Sequence, residues 1–206
     1  LWVDDGSTDG TFDELTKLSS HCSKHRVIAL DGNFGQSAAM RTGIDHATFD
    51  VVATLDGDGQ NDPADLPLLL EEMLSGDYDM VNGVRATRRD SAIRRLSSKI
   101  GNGFRNVLTG GSVSDVGCSL RVFRKRFLDD APLWKGMHRF IPTLALMRGA
   151  KISERPVNHR PRSTGVTKYG ISNRLWVGLA DCFAVRWMQW RMVWPRVKPQ
   201  TKDASK

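Results

Sequence analysis

Two pairs of acidic residues stand out for the chemistry that they could do. Asp56-x-Asp58 follows the apolar run Val51–Leu55 and opens the turn Asp56-Gly57-Asp58-Gly59-Gln60. Two carboxylates two residues apart on a turn can share or flank one hard divalent cation, which takes oxygen ligands. The same spacing also serves as a solvated Gly-Asp turn. A calcium loop is ruled out by its ligand positions: Gln60 and Asn61 replace the required acid and glycine, and Pro67 stands where the closing Glu belongs. Asp5-x-Ser7-x-Asp9-Gly10 imitates such a loop but has Thr16 at its closing position. The second pair, Asp4-Asp5, follows Leu1-Trp2-Val3 and precedes Gly6-Ser7. Acids at a strand end accept hydrogen bonds from a nucleoside, or else simply cap the turn.

The elements that must carry these residues alternate short apolar runs with helical patterns, the sequence form of an α/β sheet with crossover helices. Leu1–Val3 ends a strand, and Thr11 with Glu14 reads as a capping box that opens a helix to about Ser23. Arg26–Leu30 is the next strand, and Gln36–Ala47 a small-residue helix suited to close packing on a sheet. Val51–Leu55 is a buried strand, and Asp62-Pro63 starts a helix whose buried face is Leu66, Leu69, Leu70 and Met73. Asp79–Val84 is a strand, and a basic segment with Arg85, Arg88, Arg89, Arg94, Arg95, Lys99 and Arg105 is mostly helical to Leu108. Asp115–Phe123 is extended, His138–Arg148 helical and Lys151–His159 a last strand. A basic, Gly-containing loop over Arg160–Gly170 leads to a helix over Ile171–Trp194 that holds four of the six tryptophans. This divides the chain into an α/β domain over 1–170, an amphipathic helix over 171–194 and a disordered tail over 195–206.

Composition narrows the partners without choosing among them. The 206 residues carry a net charge of +7 and a pI near 9.6, which calls for an anionic partner: nucleic acid, anionic lipid or a phosphorylated substrate. No motif for stacking bases or reading a groove accompanies the charge, so a nucleic-acid partner is not expected. Cys22, Cys118 and Cys182 are widely spaced, with no CxxC pair; we expect three buried thiols in a reducing compartment rather than a disulfide framework or a zinc site. No stretch approaches the roughly 18 apolar residues of a spanning helix.

Taken in order, Val3-Asp4-Asp5-Gly6-Ser7-x-Asp9-Gly10-Thr11, Asn33-x-Gly35-Gln36 and Asp56-x-Asp58-x-Gln60-x-x-Pro63 resemble the family 2 glycosyltransferases of GT-A fold. Asp115-x-Gly117-Cys118-x-Leu120-Arg121 and Arg162-x-x-Gly165-x-Thr167-Lys168-Tyr169-Gly170 resemble the branch that makes polyprenyl-phosphate sugars on dolichyl or undecaprenyl phosphate. The resemblance covers roughly residues 1–190. It implies a Rossmann-like α/β fold, a mostly parallel sheet flanked by helices, and inverting transfer from a nucleoside-diphosphate sugar. Asp4 or Asp5 would contact base and ribose. Asp58, with Asp56, would hold Mg²⁺ or Mn²⁺ against the diphosphate, and Gln60 would line that pocket. Asp115 would sit near the anomeric centre, or serve as a structural turn acid. Arg121, Arg162 and Lys168 would gather phosphate charge. The sequence departs from the family pattern in lacking the usual first strand with its Pro-x-Tyr-Asn-Glu loop, which implies a truncated start and impaired donor binding. Thr167 stands where Ser is usual. Gln189-Trp190-Arg191-Met192 does not match the Gln-x-x-Arg-Trp of the processive synthases.

Ile171, Leu175, Leu179, Phe183, Trp187, Trp190 and Trp194 recur at three- and four-residue spacing with Arg174, Arg186, Arg191 and Arg196 between them. Such a stripe fits either the headgroup region of a bilayer or a protein core. With a lipid-linked acceptor, the first reading implies a peripheral protein at the cytoplasmic face of a membrane. His138-Arg139-Phe140 could reach acceptor or sugar, or start a helix. The competing readings are a family 2 enzyme acting on a non-polyprenyl acceptor and a truncated, non-catalytic binding remnant. Sugar, nucleotide and oligomeric state are not set by the sequence.

Overall fold

Strand pairing follows the apolar runs, with one insertion that reorders the sheet. The structure, a computed structural model, describes residues 1–85, 101, 103–111, 113–160 and 171–195, with side chains in the last helix described from Trp176 onward. Strand β1 (Trp2–Asp4) pairs in parallel with β2 (Val27–Ala29). A separate four-stranded sheet has the order β3-β5-β4-β6, from Val51–Thr54, Arg121–Arg124, Met80–Arg85 and Ile152–Val157. Parallel pairing, expected for most of the sheet, holds for β1–β2 and β4–β6, whereas β5 runs antiparallel to both β3 and β4. Of the extended segment Asp115–Phe123 only the part from Arg121 joins the ladder, in a strand that runs on to Arg124, because the residues before it turn to build the site described below. No ladder joins β1 to β3 among the described residues, so the sheet is interrupted between them.

Helices α1 (Thr11–His21), α2 (Gln36–His46) and α3 (Leu66–Ser75) make the crossovers. The capping box expected at Thr11 does not form. Gly10, in left-handed conformation (φ 83°), occupies the cap position, Thr11 donates to Asp9, and Glu14 turns to Lys17. Asp62 does cap, accepting the Ala64 amide, but the first turn over Pro63–Asp65 is 3-10 before α3 begins. Gly43 of α2 faces β1, where a Cβ would lie 3.3 Å from Val3 Cγ2, which explains the small residues on this helix.

Both faces of the sheet are covered at its centre, so β4 and β5 bury apolar residues in succession, Met80 with Val81 and Val122 with Phe123, rather than alternately. Met80 and Phe123 pack on one side with Ile44 of α2 and with Ile141 and Leu144 of α5 (Ile141–Met147). Val81 and Val122 pack on the other with Leu69 and Met73 of α3. Leu66 borders this second layer, whereas Leu70, expected in it, is exposed. The helix expected over His138–Arg148 is divided: Met137–Arg139 forms a 3-10 turn, and α5 starts at Ile141 with Pro142 in its first turn, where no amide is needed. Residues 103–109 are helical (α4) and precede β5. Arg88, Arg89, Arg94, Arg95 and Lys99 of the basic segment lie outside the described residues, as do Arg162, Lys168 and the tail from 196.

Helix α6 (Ile171–Arg191) ends three residues before Trp194. Its inner face sets Cys182 and Val185 against Phe140, Leu108 and Trp134. Its outer face is a solvent-facing stripe: Trp176 is 72% exposed, Phe183 and Trp187 60% each, and Trp190 88%. Trp194 leaves the stripe and lies under Arg148, whose guanidinium carbon is 4.7 Å from the ring centroid. Among the described residues no helix is long and apolar enough to cross a membrane. Cys118 and Cys182 are buried and Cys22 half-buried, all as free thiols.

Candidate functional site

Three motifs that are distant in the sequence become one chain of hydrogen bonds beyond the C-terminal ends of β1, β2 and β3. Asp4 folds its own turn, accepting the Ser7 amide at 3.1 Å and the Ser7 hydroxyl at 2.5 Å. Asp5 reaches the next loop and accepts the amides of Phe34 and Gly35, each at 2.8 Å, while Asn33 donates to the Asp5 carbonyl. Close approach of the two loops requires Gly6: its φ is 66°, and a Cβ there would lie 2.5 Å from the Gly32 carbonyl carbon. Gly35 then starts α2, and the side-chain amide of Gln36 donates to Asp56 Oδ1 at 2.7 Å. Asp4 is buried and Asp5 half-buried, so of the two acids expected to meet a nucleoside, Asp5 is the one with surface to offer.

The second acidic pair is fixed from the other side by the end of β6. Asp58 Oδ1 accepts the Gln60 amide at 3.1 Å, across Gly59 with φ 72°. Arg160 donates its amide to the Gln60 carbonyl at 2.8 Å, and its guanidinium meets Asp62 at 2.8 Å. These bonds, the Ala64 amide first and then Arg160, hold the Asp62 carboxyl below its ordinary range. Gln60 Nε2 lies 3.4 Å from His159 Nε2 and from the Arg160 carbonyl. Asn158 closes the arrangement on Asp65 with bonds of 2.7 and 3.1 Å, and buried Asn61 donates to Ser119. In the sequence His159 is marked only as the end of a strand, and Arg160 only as the first residue of the basic loop.

Asp56, Asp58 and Gln60 offer oxygen donors only, a set that suits a hard divalent cation. Among the described residues no three His, Cys, Asp or Glu side chains converge as a metal cage. A cation here would therefore complete its shell with ligand oxygens and water, as Mg²⁺ and Mn²⁺ do on diphosphates. The residues fit such an ion.

Asp115 is buried and clamped. Arg85 Nε and Nη2 meet its two carboxylate oxygens at 2.8 Å each, the Arg85 amide adds a bond of 3.3 Å, and Asn82 donates to the Asp115 carbonyl. Gly117 backs the guanidinium: a Cβ there would lie 2.7 Å from Arg85 Nη2. Arg121 departs from expectation. It is 1% exposed, and its guanidinium donates to the carbonyls of Cys118 and His138. Burial lowers its pKa to about 10, with the charges of Asp56 and Asp115 acting against that fall. It is thus a buried cation behind the acidic residues, with no face turned to an acceptor phosphate. The reason is positional: as the first residue of β5, in the middle of the sheet, it points into the protein.

Comparison with known proteins agrees with this geometry. Residues 1–131 match the family described as Glycosyl transferase family 2. A dodecaprenyl-phosphate galacturonate synthase of Rhizobium johnstonii is 40% identical over 176 residues, 84% of this chain and 52% of that protein. An undecaprenyl-phosphate 4-deoxy-4-formamido-L-arabinose transferase of Salmonella paratyphi B is 37% identical over 170 residues, 82% of this chain and 52% of that protein. The chain thus spans about half the length of these curated relatives. Among solved structures, glucosyl-3-phosphoglycerate synthase of Mycobacterium tuberculosis with Mn²⁺ and UDP-glucose superposes with a TM-score of 0.59 at 17% identity, over 91% of this chain and 66% of that one. That likeness bears on the fold, which is of the GT-A type. By its matched residues, its relatives and its fold, the chain belongs to glycosyl transferase family 2.

Proposed function

We propose that this chain transfers a sugar, with inversion, from a nucleoside-diphosphate sugar to a polyprenyl phosphate. The observation that carries the reading is the continuous linkage of Asp5, Gln36 and Asp56 beyond three strand ends, where α/β sheets bind nucleotides. It is supported by the relatives, which are named for dodecaprenyl and undecaprenyl phosphate. Asp5 is assigned the nucleoside, Asp56 and Asp58 the cation at the diphosphate, and Gln60 the wall of the same pocket. A divalent cation, Mg²⁺ or Mn²⁺, would supply charge neutralisation for the leaving diphosphate.

An acceptor phosphate oxygen forms a bond to the anomeric carbon as the bond to the diphosphate oxygen breaks, and the nucleoside diphosphate departs with the electron pair. A phosphate monoester is largely ionised at neutral pH, so it needs little help from a general base. Alignment is therefore the protein's main contribution. Asp115, held by Arg85, is assigned a fixed place near the anomeric centre, and Arg162 and Lys168 the acceptor phosphate. Arg121 adds positive potential from beneath.

The acceptor side of the reading places the protein at the cytoplasmic surface of a membrane, with the outer stripe of α6 in the headgroup region. Trp176, Trp187 and Trp190, flanked by the exposed Arg186 and Arg191, have the composition of an interfacial helix. A screen of nucleoside-diphosphate sugars with Mn²⁺ or Mg²⁺ and undecaprenyl or dolichyl phosphate tests the proposal by counting lipid-linked sugar. Product that forms with a polyprenyl phosphate and is lost in Asp58→Asn supports it. Transfer to a soluble acceptor alone, or no transfer from any donor, refutes it.

A further inference from the structure

We propose that His138 belongs to the sugar-binding part of this site, presenting imidazole Nε2 to a hydroxyl of the sugar being transferred. The inference rests on the donor reading above and adds to it a specificity-determining contact.

The position follows from three ties. Nδ1 of His138 pairs with Ser37 Oγ at 2.9 Å, and Ser37 sits in the first turn of α2 beside Gln36, the residue that holds Asp56. Ser37 is itself buried and pinned, accepting the amide of Gly136 at 3.0 Å. The carbonyl of His138 accepts Arg121 Nη1 at 3.3 Å, and Arg121 is the buried cation that feels both Asp56 and Asp115. The ring is therefore set between the start of α2, whose Gln36 holds Asp56, and the buried Arg121.

One nitrogen of the ring is fixed and the other is not. Nε2 makes no hydrogen bond to any described residue, and it is not among the fully buried atoms that lack a partner. A half-buried ring anchored at one end and open at the other is built to present that open end. Its charge state fits a sugar. Burial first, then Arg139 and Arg121, lower the His138 pKa to about 4, which favours the neutral imidazole near neutral pH. A neutral donor-acceptor suits a neutral hydroxyl.

The test compares the donor that supports transfer in the screen with its nucleoside diphosphate, both titrated by calorimetry with Mn²⁺ into the whole chain. His138→Ala should weaken the donor about 3- to 10-fold, the value of one neutral hydrogen bond, and leave the nucleoside diphosphate within about twofold. Ser37→Ala should give a smaller loss in the same direction, because it frees the ring without removing it. The loss should be equal at pH 6 and pH 8, since the ring carries no proton to lose between them. Should His138→Ala not fold, the imidazole ¹⁵N signals of the unaltered protein decide: Nε2 should shift with the donor and stay in place with the nucleoside diphosphate. Equal losses for both ligands, or equal shifts, make His138 structural and overturn the proposal. An unchanged donor affinity in a folded variant overturns it as well. Failure of every donor in the screen refutes the donor reading itself and is seen before any histidine variant is made.

Discussion

Arg85→Ala should destabilise this protein far more than an ordinary surface substitution. Asp115 is 5% exposed and relies on Arg85 for two side-chain bonds of 2.8 Å, so the variant leaves a buried carboxylate without its bidentate partner. Breaking a buried pair from one side costs about 3–5 kcal/mol. That is a large share of the roughly 5–15 kcal/mol that holds a domain together. The cost is mostly that of a buried carboxylate that has lost its two side-chain bonds to Arg85, so removing both ends together, in Arg85→Met with Asp115→Leu, should recover much of it. Urea unfolding followed by tryptophan emission, run as a double-mutant cycle, gives the coupling directly. Gly117→Ala is an independent probe, since its Cβ would meet Arg85 Nη2 at 2.7 Å and push the guanidinium off the carboxylate. Overpacking of this kind costs about 1–3 kcal/mol. If Arg85→Ala unfolds within about 1 kcal/mol of the parent, or if the two single changes simply add, Asp115 is not held as described.

Asp58→Ala should abolish the dependence of nucleotide binding on Mn²⁺, read by calorimetry with and without chelator; unchanged metal dependence would falsify the assignment of the cation. Replacing Trp176, Trp187 and Trp190 by Ser should reduce binding to anionic vesicles while nucleotide binding is kept, and high salt should weaken the parent's association. Trp emission that stays unchanged on adding vesicles counts against the interfacial role of α6. Asp181 is buried in α6, its Oδ2 without a hydrogen-bond partner, and burial raises its pKa. A raised carboxyl pKa opposes folding fully above the folded value and not at all below the unfolded one. Asp181→Asn should therefore stabilise the protein at pH 8, with a gain that shrinks as the pH falls to the ordinary carboxylate range. A gain that is constant from pH 4 to pH 8 in thermal melts would contradict the stated cause.

The motifs that define this family are local and were legible as such. Strand-ending acids, turn glycines and the capped 3-10 turn at Asp62-Pro63 that leads into α3 depend on contacts a few residues apart, which residue types and spacing encode directly. The small residues of α2 announced close packing, and Gly43 against Val3 supplies it. What residues far apart do to one another was not legible. Nothing in the sequence says that Asp5 closes on the amides of residues 34 and 35, that Gln36 holds Asp56, or that Arg160 reaches Asp62. The direction of β5 belongs to the same class, because an extended segment pairs either way and only its neighbours choose. Leu70 and Trp194 show the limit of periodicity: it places residues on one face of a helix but does not say what that face meets. Arg121 shows the limit of motif reading. Its charge and its neighbours in the sequence point toward a phosphate, yet its register in the middle of the sheet turns it inward, onto two carbonyls, because pleat alternation and strand order decide which way a side chain points.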